Sequence, residues 1–245
     1  MDYGESMKKA IFLFDYTGIM AKPWADAGYL CYCFDGQHPQ GVSKSNHKNI
    51  LNVGAWFSNE ITGDESYLDV GKIINITGID ISFVFGFPEC TNLAVSGAAH
   101  FAKKRDENPF FQDEAMVLVR LTELLGENLG CTWALENLIS VASTLWRKPD
   151  YKFHPYEYGG YLEEGDQHPI YPEYIKPRDA YPKKTCIWSG NGFVMPEKKP
   201  VEVEPGFSDQ HKKLGGKSLK TKNIRSATPR GFARAVFETN HKLDA

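Results

Sequence analysis

The sequence predicts an α/β protein with a mostly parallel, doubly wound sheet. Two observations lead to this fold class. Short apolar runs of strand length alternate along the chain with stretches of helical spacing, which is typical of βα units. One run, ISFVFGF at 81–87, is apolar throughout, as expected of a strand that is covered on both faces. Because 245 residues suffice for one such sheet and its helices, we expect 1–245 to form a single domain.

The predicted elements follow one another along the chain. The apolar runs predicted as strands are 10–16, 29–34, 50–54, 81–87 and 131–135, with 183–188 as a further candidate. Helical spacing predicts helices at 21–27, 109–127 and 229–239. Gly28 is suited to ending the first of these helices, and Pro229 to the first turn of the last.

The second half of the chain is less regular. Residues 149–182 are rich in Tyr, Pro, Gly and His, and we expect irregular loops there. Residues 196–223 are rich in Lys, Pro, Gly and Ser, which predicts an exposed loop. We therefore interpret 149–224 as loops of the same domain that face a substrate.

Charge and cysteine content limit the function classes. The net charge is -3, so any contact with nucleic acid needs a local basic patch. The five cysteines are odd in number and scattered, which argues against a disulfide framework or a paired zinc motif and indicates a reducing, cytoplasmic compartment. No run approaches the roughly 20 apolar residues of a membrane span, and the N-terminus lacks the apolar stretch of a signal peptide. We expect a soluble protein with no membrane partner.

Polar, chemically capable side chains follow four of the predicted strands. Ligands of open α/β sheets bind outside the carboxyl ends of the strands. The residues at these ends are Asp15, Thr17 and Gly18, then Asp35, then Glu89, Cys90 and Thr91, and finally Glu136 and Asn137. Because these ends meet at one rim of the sheet, the sequence predicts a binding site there.

The first two strand ends indicate an adenosine-type cofactor. The turn after the first strand holds only Gly18 and not a GxGxxG loop, which weakens a dinucleotide interpretation. Asp35 ends the second strand, where an acidic group can accept hydrogen bonds from both ribose hydroxyls. The alternative is a solvated aspartate at a strand end.

The other two strand ends indicate nucleophilic chemistry. Cys90 follows a buried strand and a proline, so its thiol can point into the cleft and attack a substrate once ionised. The alternative is an inert buried cysteine, which we expect for the other four. Glu136 can hydrogen-bond a ring nitrogen and an exocyclic amine if its carboxyl is protonated at the right step. The alternative is that Asn137 is an ordinary helix cap.

Five segments, taken together, resemble the motifs of the cytosine carbon-5 DNA methyltransferases. FDYTG, followed by PW and AGY, resembles their cofactor-binding first motif, and FGFPECTNLAVSG resembles their Pro-Pro-Cys nucleophile loop. WALENLIS resembles their Glu-Asn-Val motif, AYPKKTCIWSG stands where their basic motif would be, and RSATPRGFARAVFE resembles their last motif. The order is the family's order, the match covers nearly the whole chain, and it is nearest to compact, phage-encoded members, for which evasion of restriction is a plausible role.

The resemblance implies a Rossmann-like methyltransferase fold, S-adenosylmethionine as cofactor and DNA as partner, with the target base flipped out of its duplex or taken from a single strand. Cys90 would attack carbon 6 of cytosine, Glu136 would contact ring nitrogen 3 and the amino group, and Asn137 would complete the catalytic set. The implied cofactor-binding residues are Asp15, Tyr16, Thr17, Gly18, Asp35, Pro88, Thr228 and Pro229. The implied substrate-binding residues are Thr91, Ser96, Lys183, Lys184, Thr185 and Arg225. We expect no metal, and we favour a monomer.

Three departures from the family pattern affect these expectations. Glu89 stands where a second proline is usual, and its carboxylate would raise the pKa of the neighbouring thiol unless it faces away or pairs with a base. The third family motif is represented at best by Val53 to Trp56, which weakens the adenine contacts. Only 189–224, a lysine-rich segment, is available for target recognition, which predicts low or very short sequence specificity.

Two other functions stay open. The same thiol adduct can accept a one-carbon unit from a folate, giving hydroxymethylcytosine, or act on a free nucleotide. Alternatively, the chain is a catalytically inactive decoy that binds S-adenosylmethionine or DNA, which Glu89 would favour. His154 and His168 have no zinc-type spacing, and the aromatic residues around them either line a base pocket or pack within their loop.

Overall fold

A computed structural model describes residues 7–61, 64–206, 208–216 and 218–241 of the chain. Its eight strands form one sheet in the order β3-β4-β2-β1-β5-β6-β8-β7. The strands are β1 Lys9–Leu13, β2 Leu30–Phe34, β3 Gly41–Lys44, β4 Ile50–Gly54, β5 Phe83–Gly86, β6 Thr132–Leu138, β7 Tyr151–Phe153 and β8 Thr185–Gly190.

The centre of the sheet is parallel and its edges are not. β1 pairs in parallel with β2 and β5, β2 with β4, and β5 with β6. β3 is antiparallel to β4, and β8 is antiparallel to both β6 and β7. The chain passes from β1 to β2 and β4 on one side and later to β5 and β6 on the other, so the strand order reverses between β1 and β5. The protein is thus α/β with a mostly parallel sheet, compatible with a Rossmann-like fold.

Helices cover both faces of the sheet. They are α1 Ala21–Asp26, α2 Asp64–Thr77, α3 Phe101–Glu107, α4 Phe111–Leu129, α5 Ala142–Leu145, α6 Asp209–Lys213, α7 Leu219–Ser226 and α8 Arg230–Asn240, with 3-10 helices at Val95–His100, Pro155–Tyr161 and Pro177–Asp179. One hydrophobic cluster joins α1 and α8 to the sheet and includes Ala10 and Phe12 of β1. The other joins α2 and α4 and includes Ile11 and Leu13. Successive β1 residues therefore point to opposite faces, as the period of a strand requires.

Most of the predicted elements are confirmed. β1, β2, β4, β5 and β6 lie at the predicted apolar runs, and the candidate strand at 183–188 is β8. Helix α1 ends at Asp26, and Gly28 just beyond it has a φ of +94°, a conformation that glycine adopts without a steric penalty. Helix α8 follows Pro229, which occupies the N-cap position rather than the first turn.

The predicted helix at 109–127 is α4, preceded by a separate helix α3. Asn108 breaks the two apart because the residue before Pro109 is disfavoured in helical geometry, and its backbone is extended at φ -146° and ψ 103°. Its side chain holds the break, donating to Glu114 at 2.9 Å and accepting from the backbone of Phe110 at 3.0 Å.

The fifth strand is longer than predicted. β6 continues to Leu138 because its last three residues pair with Ile187, Cys186 and Thr185 of β8. Glu136 and the residue after it therefore lie inside the strand instead of following it. The expectation that Asn137 caps a helix is wrong for the same reason.

We expected loops over 149–224, but the structure shows regular elements in this stretch. It holds β7, β8, two 3-10 helices, α6 and α7. Helix α7 begins at Ser218, whose hydroxyl accepts from the backbone of Thr221 at 3.2 Å, and it buries only Thr221 and Ile224. Ile224 is the one apolar residue of these two, which is too few for a recognisable helical stripe and explains why the sequence predicted a loop.

Strand β3 and helix α2 were not predicted at all. β3 is a short edge strand, and its residues are exposed or half-buried, so it has no apolar run. Helix α2 buries Val70 and Ile73 against the sheet but carries mainly polar residues elsewhere.

Candidate active site

The chain turns sharply at the end of β1. Phe14 has a φ of 60°, a left-handed conformation that costs a non-glycine residue about 1–3 kcal/mol and is typical of functional sites. The turn directs Asp15 inward, where its Oδ1 accepts hydrogen bonds from the Thr17 hydroxyl at 3.1 Å and from the backbone of Gly18 at 2.9 Å. Sequence reasoning missed the role of Phe14, since nothing in its identity signals this backbone.

The Asp15 carboxyl is enclosed but not fully satisfied. Only 3% of the residue is exposed, and its Oδ2 atom is buried without a hydrogen-bond partner among the described residues. Burial raises the pKa of Asp15 to about 6, even though Thr17 and Gly18 stabilise the ionised form. An unpartnered buried oxygen of this kind is well placed to accept a hydrogen bond from a ligand.

Asp35 stands directly beyond β2 on the same rim. Its Oδ1 accepts from the backbone of Gln37 at 2.8 Å, and burial raises its pKa. His38, which is 9% exposed, stacks on the Tyr16 ring with 5.3 Å between centroids. The turns after β1 and β2 are thereby fixed against each other.

These turns line a cleft at the carboxyl ends of β1, β2 and β5, which we call the rim cleft. Its lining residues are Phe14, Asp15, Tyr16, Thr17, Asp35, Gln37, Phe87, Asn223, Ser226 and Thr228. Five predicted cofactor-binding residues belong to this lining, and the other three, Gly18, Pro88 and Pro229, each follow a lining residue in the chain. Sequence reasoning missed Gln37, Asn223 and Ser226. The last two lie on α7, which the sequence predicted to be a loop.

A larger groove elsewhere does not match the predicted chemistry. It lies between α2 and α4, and its lining includes Tyr67, Met116, Arg120 and Leu124. The groove is larger and more open than the rim cleft, but its described lining contains no cysteine, histidine or lysine and none of the strand ends. We therefore place the candidate site at the rim cleft, where a doubly wound sheet binds its ligands.

The loop that carries Cys90 is anchored to the segment around β6. The Asn137 side chain, 1% exposed, donates to the carbonyl of Pro88 at 3.2 Å. The Cys90 carbonyl accepts from the backbones of Leu93 and Ala94 at 2.9 and 2.8 Å, which closes a tight turn after the thiol. Asn137 thus acts on the nucleophile loop through the backbone of Pro88.

Cys90 differs from the other cysteines in its accessibility. It is half-buried, whereas Cys31, Cys33, Cys131 and Cys186 are buried, as expected of inert thiols. Burial raises the pKa of the Cys90 thiol, the Glu136 carboxylate raises it further, and the Lys183 ammonium lowers it. The Glu136 carboxyl is therefore close enough to the thiol to influence its ionisation.

Glu136 lies within β6, opposite Ile187 of β8. Burial raises its pKa, and the Lys183 ammonium opposes that shift. A raised pKa keeps more of the carboxyl protonated near neutral pH, which is the form that donates a hydrogen bond to a ring nitrogen.

Glu89 is paired rather than isolated beside the thiol. Its Oε1 atom accepts from the Thr91 hydroxyl at 2.6 Å and from the Lys222 ammonium at 3.2 Å. Burial acts to raise the pKa of Glu89, but these two hydrogen bonds outweigh it and hold the pKa below its usual value. The carboxylate thus has the basic partner that its place beside a nucleophile requires.

The two lysines of the basic segment point in different directions. The charge of Lys183 acts to lower the pKa of both Cys90 and Glu136, and its ammonium donates to the carbonyl of Arg225 at 3.0 Å. Lys184 is exposed and influences His154 instead, as expected of consecutive residues at a strand. The structure therefore brings only the first of the pair to the thiol.

The remaining predicted substrate-binding residues are dispersed. Thr185 is buried, and its hydroxyl donates to the Lys183 carbonyl at 3.1 Å, so it does not face solvent. Arg225 is exposed and donates to the carbonyl of Leu214 at 2.8 Å. Ser96 and Thr91 are exposed near the thiol, in the loop and 3-10 helix that follow it.

The aromatic residues of the Tyr- and His-rich stretch mostly pack within the protein. Tyr158 and Tyr161 belong to the core cluster against α8, and their hydroxyls donate to backbone carbonyls at 3.2 and 2.8 Å. Gly231 permits this packing because a Cβ there would lie 2.2 Å from the Tyr158 carbonyl oxygen. The buried His168 accepts from the backbones of Ile170 and Tyr171, and burial lowers its pKa to about 4. This favours loop packing over a base pocket.

Across the described ranges, no group of three or more His, Cys, Asp or Glu side chains is arranged to hold a metal ion. None of the helices within these ranges has the length and apolar character needed to cross a membrane. A comparison of the sequence with protein-family models finds no matching family, and a search of curated proteins finds no match.

Proposed function

We propose that this protein is a DNA cytosine carbon-5 methyltransferase that uses S-adenosylmethionine and a covalent Cys90 adduct. One observation carries the proposal. A half-buried thiol, whose pKa is raised by the carboxylate of Glu136, lies at the same rim as a cleft lined by two carboxyl groups. Cofactor and nucleophile would then meet where an open α/β sheet binds its ligands.

The rim cleft fits S-adenosylmethionine in its chemistry. The cofactor carries a sulfonium and an ammonium charge, and the described lining contains Asp15 and Asp35 but neither lysine nor arginine. Asp35 would accept from the ribose hydroxyls, and the buried Oδ2 of Asp15 is free to accept from a donor of the ligand. When bound, the cofactor supplies the methyl group.

The protein groups would divide the chemistry between them. The Cys90 thiol would release its proton to solvent, and the Lys183 ammonium would stabilise the thiolate. The sulfur then forms a bond to carbon 6 of the cytosine as the double bond between carbons 5 and 6 opens. Protonated Glu136 donates to ring nitrogen 3, which moves electron density toward carbon 5 and makes that carbon nucleophilic. After methylation, a base removes the proton from carbon 5, the electrons of that bond restore the double bond, and the carbon–sulfur bond breaks. Cys90 leaves unchanged.

DNA binding would depend on the lysine-rich segment that contains α6 and α7. Its exposed basic residues are Lys198, Lys199, Lys212, Lys213, Lys220, Lys222 and Arg225. Phosphate contacts of this kind fix the position of a duplex but do not read its bases. We therefore expect low or very short sequence specificity, which sequencing of the modified DNA would measure.

The function is tested by identifying the product. The protein is incubated with DNA and S-adenosylmethionine carrying an isotope in its methyl group, and the DNA is digested to nucleosides for mass analysis. Labelled 5-methylcytosine nucleoside supports the proposal. A heavier product or a requirement for folate would replace it with another one-carbon transfer at carbon 5.

A binding protein without catalysis is the second candidate. Its support is the raised pKa of Cys90, because less thiolate at neutral pH means a slower nucleophile. Retained binding of S-adenosylmethionine or DNA with no modified nucleoside in the same experiment would favour this candidate over the enzyme.

Asp35→Ala is expected to weaken S-adenosylmethionine binding by about 10- to 100-fold, since hydrogen bonds to a charged group are worth about 1.5–3 kcal/mol. Isothermal titration calorimetry on the purified protein measures this loss. Asp80→Ala is the matched control, because Asp80 is an exposed aspartate just before β5, at the opposite edge of the sheet. Equal affinity of the two variants would remove Asp35 from the cofactor site.

A further inference from the structure

Helix α7 is joined to three separate parts of the rim by hydrogen bonds. Asn223 exchanges two hydrogen bonds with Gln37, at 2.9 and 3.3 Å, beside Asp35. Lys222 donates to Glu89 in the nucleophile loop. The carbonyl of Arg225 accepts from Lys183, whose charge acts to lower the pKa of the thiol. One short helix therefore connects the cofactor side of the rim with the nucleophile side.

The same helix also covers the rim cleft. Asn223 and Ser226 line it on the side away from the strand ends, together with Thr228 just beyond the helix. The cavity volume of the cleft is only about 40 Å³, far below the roughly 300–1,000 Å³ of ligand pockets. A bound cofactor therefore requires α7 to move outward. Contacts that hold α7 in place consequently affect the volume of the cleft.

The ion pair between Glu89 and Lys222 is suited to breaking and forming again. The side chains are 60% and 52% exposed, and exposed ion pairs contribute little to the stability of a fold. The two residues are 133 positions apart, so the pair joins parts of the chain that have no local connection. Its expected effect is on the placement of two segments and not on whether the protein folds.

We propose that Glu89 is a positioning residue. Through its ion pair with Lys222 it holds the Cys90 loop against α7, so that the position of the thiol is linked to the position of α7 over the rim cleft. This role of Glu89 rests on the proposed function only in that the rim cleft is taken as the cofactor site and the Cys90 thiol as the nucleophile. The glutamate that departs from the family pattern is then an anchor rather than a defect.

The test compares four variants in the full-length protein. Glu89→Gln and Lys222→Gln each break the pair, and the double variant Glu89→Lys/Lys222→Glu restores it with reversed charges. The matched control is Glu238→Gln, which breaks an exposed ion pair with Arg234 on α8, with a distance of 2.9 Å and exposures of 51% and 41%. Turnover with S-adenosylmethionine and the rate of Cys90 alkylation by iodoacetamide are measured for each.

Positioning and simple charge effects predict different results. If Glu89 acted only through its charge on the thiol, Glu89→Gln would lower the pKa of Cys90 and speed both alkylation and turnover. Positioning predicts that Glu89→Gln lowers turnover about fivefold and raises the KM for S-adenosylmethionine, although the thiol alkylates at least as fast as in the native protein. The reversed pair recovers most of the loss, and Glu238→Gln changes neither quantity. Unchanged or faster turnover in Glu89→Gln, or a double variant no better than the single ones, overturns the proposal.

Amide hydrogen exchange gives a readout that does not depend on catalysis. In Glu89→Gln we expect faster exchange in both 89–94 and 219–226, and no such change in Glu238→Gln. If the native protein shows no turnover with any donor, the proposed function fails, while this measurement still decides the link between the loop and α7. Exchange that rises in neither segment overturns the link.

Discussion

Cys90→Ser is expected to abolish modification of cytosine, with turnover lower by about four orders of magnitude or more, on the scale seen when a covalent enzyme loses its nucleophile. The serine hydroxyl has nearly the same size, but it ionises far less readily than a thiol, so the bond to carbon 6 does not form. Because Cys90 is half-buried at a loop, we expect the variant to keep the native melting temperature.

The adduct itself can be trapped. In DNA with fluorine in place of hydrogen at carbon 5 of cytosine, the final step has no proton to remove, so the carbon–sulfur bond stays intact. Mass analysis should show protein joined to DNA through Cys90 in the native protein and no such species in Cys90→Ser. Cys131→Ala, which alters a buried thiol, should still form the adduct. An adduct that survives Cys90→Ser, or maps to another residue, contradicts the mechanism.

The strand ends could be predicted because their signal is local. An apolar run followed by a polar residue locates a carboxyl end to within about three residues, and Asp15, Asp35 and Cys90 follow such ends by at most four residues. The side on which each strand pairs is not local, which is why the continuation of β6 through Glu136 was missed. That continuation depends on β8, almost 50 residues later in the chain.

The cover of the rim cleft could not be predicted for a related reason. Gln37 and Asn223 are 186 positions apart, and neither residue type indicates a partner at that distance. Helix α7 also buries too few apolar residues to be recognised as a helix. The left-handed backbone of Phe14 is a third example, because a sequence pattern would place glycine there. The sequence thus predicts which residues carry the chemistry better than it predicts what holds them in place.

Glu136→Gln is expected to lower kcat by about 10²- to 10⁴-fold, the usual contribution of a general acid. The amide has the same shape and can still donate a hydrogen bond to ring nitrogen 3, but it cannot transfer a proton. The KM for DNA should therefore change little, whereas Glu136→Ala should lose both the proton and the hydrogen bond. A fall in the DNA affinity of Glu136→Gln with kcat unchanged would assign Glu136 to binding alone.

The pH dependence of Glu136→Gln separates the acid from the nucleophile. Burial raises the pKa of both groups, and a thiol ordinarily ionises at a much higher pH than a carboxyl. In the pH range between the two ionisations, each rise in pH creates more thiolate and removes as much protonated carboxyl, so the native rate should be level there. In Glu136→Gln only the thiol titrates, so the rate should keep rising with pH until the thiol is ionised. A native rate that rises with pH in parallel with the rate of Glu136→Gln would mean that the Glu136 proton takes no part in the reaction.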